Sequence, residues 1–137
     1  MVKNIVRDHM LLMKKSTPAN KSDLQTARDL IDTLNYHSAD CVGMAANMIG
    51  VSKNIIVISA AGVPVVMLNP RIVNHSAESY EAEEGCLSLD GTRTTVRWYT
   101  VEVEYFDMTM KKKKSKYSGF TAQIIQHEID HCKGIII

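Results

Sequence analysis

The feature that most limits what this chain can fold into lies near its end. Residues 119–132 read as one helix, with Ser118 at the N-cap position and Gly134 where a helix stops. That helix carries His127 and His131. Positions four apart share a helix face, with Cβ atoms roughly 5–6 Å apart. The two imidazoles can therefore hold one metal ion through nitrogens at about 2.0–2.1 Å. Glu128 follows the first histidine and is placed to serve as a general base toward a water on such an ion. Phe120 and Ile124 fall on the same stripe, so the metal-binding face is expected to be the buried face. The alternative is a pair of surface histidines that needs no metal.

A catalytic site of this type has three protein ligands and one open position. The candidate third ligand is Cys86, in Glu83-Glu84-Gly85-Cys86-Leu87-Ser88. Cys132 follows His131 directly and so points off the metal face; it and Cys41 are expected to pack. An odd count of 3 cysteines and no apparent signal peptide argue for a reducing cytoplasm and against a disulfide framework.

Length and charge narrow the rest. The 137 residues fit one domain, 1–137, large enough to bury a core without covalent staples. A net charge of +1 gives no case for a nucleic-acid partner. No apolar run approaches the ~20 residues of a membrane span.

Residues 22–37 read as a core-packing helix. Ser22 and Gln25 suggest a capping box, and Leu24, Ala27, Leu30, Ile31 and Leu34 form a stripe. Upstream, Leu11, Leu12 and Met13 are expected to pack on the core, and Ser16-Thr17-Pro18 marks a bend. Residues 55–60 and 63–68 read as two strands joined by Ala61-Gly62, with Pro64 near the start of the second. Asn69-Pro70 is expected to end it, and residues 71–73 to form a further short strand. Residues 95–108 read as one strand with a wet face. Lys111 to Lys114 and Lys116 read as a solvated hairpin turn, and Ile135 to Ile137 as a terminal strand.

Three segments together resemble the peptide deformylases: Gly43-Met44-Ala45-Ala46-Asn47-Met48-Ile49-Gly50, Glu84-Gly85-Cys86-Leu87-Ser88, and Gln126-His127-Glu128-Ile129-Asp130-His131. Their order and spacing both fit, across about residues 16–137. The resemblance implies an α+β fold, antiparallel β-sheets around a central metal-binding helix. It implies Cys86, His127 and His131 as ligands of one divalent ion, Fe(II) in the cell with zinc, nickel or cobalt as substitutes. It implies removal of formyl from N-formylmethionine of new bacterial polypeptides, with Glu128 as base and the Leu87 amide as an oxyanion donor. Backbone near Gly43 and the side chain of Arg93 would contact the peptide.

One position departs from the family pattern. Met48 stands where the family has a glutamine that donates to the developing oxyanion, and a thioether cannot donate. The expected function is therefore a deformylase slowed by Met48, acting on formylmethionyl peptides in the cytoplasm, with the ribosome as an expected place of action. The alternative is a metal-holding paralogue that binds N-terminal peptides without efficient catalysis. A zincin-type protease shares the histidine motif, but only 6 residues follow His131 to supply a third ligand. A structural metal site would need a fourth protein ligand.

Overall fold

Successive side chains of a strand point to opposite faces, and in residues 55–60 both faces are apolar. The computed structural model, which describes all 137 residues, shows why. Strand β2 (Ile55–Ala60) lies between two helices, α2 (Leu24–Tyr36) and α3 (Gly119–Cys132). Ile55 and Val57 pack with Ala27, Leu30 and Leu34 of α2. Ile56 and Ile58 pack with Ala122, Ile125 and Ile129 of α3. Each such side chain contributes roughly 1.5–3 kcal/mol by leaving water, so β2 fixes both helices at once.

Around β2 a five-stranded antiparallel sheet forms. Its other members are β1 (Gly43–Ala45), β3 (Val63–His75), β6 (Thr100–Phe106) and β7 (Lys112–Ser118), in the order β1-β2-β3-β6-β7. A separate hairpin joins β4 (Ser79–Cys86) to β5 (Leu89–Trp98). A short helix α1 (His9–Leu12) precedes them. The expected α+β class, antiparallel sheets about the histidine-bearing helix, is the one observed. No helix is long and apolar enough to cross a membrane.

Several local expectations need correction. The first long helix starts two residues later than expected, and its cap lies elsewhere. Asn20 and Asp23 form the capping box, with the Asn20 side chain accepting from the Ser22 amide at 2.9 Å. Asn69-Pro70 does not end β3. Asn69 takes a left-handed φ of 53° at a bulge, and its amide binds both backbone groups of Ala19, at 2.7 and 2.9 Å. The strand then runs on to His75.

Residues 95–108 are two strands in different sheets, divided at Tyr99. Gln126 of α3 pins the division by bonding the Trp98 amide at 2.8 Å and its carbonyl at 2.9 Å. The lysine run is an edge strand rather than a turn. Lys112 and Lys114 pair with Glu104 and Glu102 across the ladder, and charges on an edge discourage further strand pairing. Ile135 to Ile137 form no strand. Of the N-terminal apolar trio only Leu12 is buried; Leu11 and Met13 are exposed.

Candidate metal centre and cleft

The helix brings its two histidines to a third donor. Sγ of Cys86, at the end of β4, and ring nitrogens of His127 and His131 all lie within 4.8 Å of one another. The two Nε2 atoms are 3.1 Å apart, close to the ~3.3 Å edge of a tetrahedron with metal–nitrogen bonds of about 2.0–2.1 Å. Cys132 packs in the core on the other side of α3. Cys41 lies in the cleft wall, and its thiol donates to the Gly43 carbonyl at 2.9 Å. Burial pushes both of these thiols up to about 12, so neither offers a thiolate near neutral pH.

Behind His127 stands a buried acid that sequence reasoning had noted only as part of a motif. Glu84 Oε1 meets His127 Nδ1 at 2.7 Å. The same carboxylate accepts from Arg97 at 2.6 and 2.9 Å and from Gln123 at 3.0 Å. Arg97 in turn donates to Asp130 at 2.6 Å. Burial alone would raise the Glu84 pKa, but the hydrogen bonds from His127 and Arg97 outweigh it and hold it at about 2. An ionised carboxylate keeps the proton on Nδ1 and turns the Nε2 lone pair toward the cleft, as metal-ligating histidines require.

Glu128 lies on the adjacent part of the helix face. It is buried, and its Oε1 has no hydrogen-bond partner. Burial is the main influence on it and raises its pKa to about 7. Gly43 lets β1 approach this carboxylate closely. A Cβ at Gly43 would stand 2.6 Å from Ile124 Cγ2 and 3.0 Å from Glu128 Oε2.

Around these groups opens a cleft of about 530 Å³, whose wall includes Gly43, Met48, Cys86, Leu87, His127 and Glu128. Met48 is 1% exposed, and its Sδ is 3.9 Å from Cys86 Sγ. The Leu87 carbonyl accepts from Arg7 at 3.0 Å, and its amide takes part in no turn, loop or side-chain hydrogen bond. Arg93 stands on β5 outside the cleft wall, and its guanidinium donates to the Asp90 carbonyl at 3.0 Å. Phe120 departs from the buried stripe expected of it: it is 63% exposed and lines the cleft.

A transition-metal ion fits this donor set. One soft sulfur and two imidazole nitrogens suit such ions, and they converge beside an unpartnered buried carboxylate oxygen. Charge agrees as well. Burial would lower the His127 pKa, yet its hydrogen bonds to Cys86 and Glu84 raise it to about 10. Burial and the His127 charge together lower His131 to about 3. At neutral pH the two rings thus hold one extra proton between them, in the place that a bound cation would take.

Arg97, Asp130 and Gln123 escaped sequence reasoning. Nothing local marks Arg97, since it becomes a partner of Glu84 only through β4–β5 pairing and the docking of that hairpin on α3. Asp130 carries a signal in hindsight: it lies inside the histidine motif, on the flank of the metal face.

Fold and site together define a class: α+β enzymes whose central helix supplies two histidines and a carboxylate beside a strand-borne cysteine. The polypeptide deformylase family model matches residues 2–137. A peptide deformylase of Clostridium beijerinckii is 52% identical over 137 residues, covering 100% of both chains. The crystal structure of peptide deformylase from Thermotoga maritima superposes with a TM-score of 0.90 at 28% identity, over 99% of this chain and 95% of that one. A Met-Ala-Ser-bound class I type b peptide deformylase of Acinetobacter baumannii gives a TM-score of 0.89 at 28% identity, over 99% and 97%. The chain belongs to the polypeptide deformylase family.

Proposed function

We propose that this chain removes the formyl group from N-formylmethionine at the start of new polypeptides, in the cytoplasm, with Fe(II) held by Cys86, His127 and His131. Zinc, nickel or cobalt would serve as substitutes. The observation that carries this reading is the convergence of those three donors beside the unpartnered Oε1 of Glu128 in one cleft. A divalent ion at that donor set supplies Lewis acidity, lowering the pKa of water and polarising a carbonyl oxygen.

The chain's own residues do the rest. Glu128 takes the proton of the attacking water and gives it to the leaving amine nitrogen. Its C–N bond to the formyl carbon breaks, and formate and the free N-terminus leave. A carboxyl with a pKa of about 7 can both accept and donate at neutral pH. The unused Leu87 amide is an available donor for the oxyanion. Strand β1 lies at the edge of its sheet, so backbone near Gly43 can pair with an extended peptide. Arg93 pairs across the hairpin with Glu84 of the cleft wall, and one of its guanidinium nitrogens is buried without a partner, so it is available to a bound peptide. The Met-Ala-Ser bound to the Acinetobacter relative is the deformylated form of such a substrate.

Met48 favours a second reading, a paralogue that holds N-terminal peptides with little turnover, because a thioether donates nothing to an oxyanion. Formate release from formyl-Met-Ala-Ser by the Fe(II)-loaded protein separates the two. The first reading predicts steady release that Glu128→Gln abolishes while the metal stays bound. Peptide binding without formate would establish the second.

A further inference from the structure

The residue that breaks the family pattern also brings a donor of its own to the metal centre. Two sulfurs bound to one ion at about 2.3 Å in tetrahedral geometry lie about 3.8 Å apart. Met48 Sδ and Cys86 Sγ are 3.9 Å apart. Met48 is 1% exposed and lines the same cleft wall as Cys86 and His127. Its backbone is fixed on both sides. The Met48 carbonyl accepts from Val6 at 2.8 Å, and Gly50 closes the turn with a left-handed φ of 88°. The side chain therefore reaches the centre from a rigid base.

We infer that Met48 Sδ is a fourth, weak donor to the metal held by Cys86, His127 and His131, making a two-sulfur, two-nitrogen cage that favours thiophilic ions. The inference rests on the three-ligand metal centre of the preceding reading and goes beyond it. A glutamine at this position offers a hard amide oxygen or a hydrogen-bond donor, whereas a thioether is a soft ligand. Two soft sulfurs with two imidazoles bias the site toward soft ions and away from ions that prefer oxygen. Bound to the ion, the same sulfur would take the position a catalytic site leaves open. Water and substrate must displace it, which adds to the loss of the oxyanion donor.

The test uses the full chain loaded with Cd(II) or Zn(II), and X-ray absorption at the metal edge to count sulfur neighbours. The parent should show two sulfurs and Met48→Leu one. Leucine for methionine is a volume-conserving exchange that cores tolerate. In competitive titration, the preference for Cd(II) over Zn(II) should fall about tenfold in Met48→Leu, in line with the effect of losing a supporting metal contact. One sulfur in the parent, with Met48→Leu matching it in metal preference, would overturn the inference and leave the three-ligand centre intact. A parent that binds neither ion would overturn both.

Discussion

Replacing Glu84 with glutamine removes one charge and almost no volume from the interior. Glu84 is buried against Arg97, which is 4% exposed. A carboxyl held at about 2 instead of its ordinary 4.5 contributes about 3 kcal/mol at neutral pH, at about 1.4 kcal/mol for each tenfold change in proton affinity. Breaking a buried pair by neutralising one partner costs a similar 3–5 kcal/mol or so. Arg97 keeps its 2.6 Å bond to Asp130, which places the expected loss at the lower end, about 3 kcal/mol. For a chain of this length that lowers Tm by roughly 10 °C. The sign with pH follows from the depressed pKa. Glu84 stabilises the fold fully above about pH 4.5, and the contribution disappears as pH falls through about 2. Urea denaturation of parent and Glu84→Gln, both with chelator present, should therefore differ by a constant amount from pH 7 to about pH 5 and converge below. Metal affinity should also fall, by about 10- to 100-fold, because His127 loses the acid that orients it. A difference under about 1 kcal/mol at pH 7, or one that grows on acidification, would refute the argument.

The other predictions concern the cleft. Met48→Gln should raise deformylation by up to ~10²–10³-fold, mainly in kcat, because the restored donor acts on charge developed in the transition state; a folded, metal-loaded variant no faster than the parent would refute this. Cys86→Ala, His127→Ala and His131→Ala should each lose the single metal ion in elemental analysis, whereas Cys41→Ala and Cys132→Ala should retain it. Gly43→Ala should reduce kcat more than it reduces metal content, since its Cβ would stand 3.0 Å from Glu128 Oε2 and 2.6 Å from Ile124; kinetics and metal analysis on the same preparation would check this.

What the sequence reveals and conceals has a physical pattern here. Helix α3 was legible in its span because its N-cap position and closing glycine agree, although Phe120 leaves the expected stripe, and the structure brings the three expected donors Cys86, His127 and His131 together. The hairpin of β4 and β5 was not read. Its residues are mostly polar and half-exposed, so they lack the apolar alternation that marks a strand with one buried face. The division at Tyr99 was hidden because the buried phase runs through it: Arg97 on β5 and Val101, Val103 and Tyr105 on β6 are all buried at odd positions, whereas the apolar Val96 is exposed. The lysine strand was hidden because lysines suit both turns and sheet edges; only its pairing with Glu102 and Glu104 decides. Arg97 was invisible for a different reason: its partners lie 13 and 33 residues away, joined only by tertiary packing.

Deformylation at this centre is tested most directly by formate release under control of the metal. Anaerobically purified protein should release formate from formyl-Met-Ala-Ser when loaded with Fe(II), fall to background when a chelator removes the ion, and recover when Fe(II) is restored. Formate release that persists unchanged after complete removal of the metal, or none from either the Fe(II)-loaded parent or its Met48→Gln variant, would contradict the assignment.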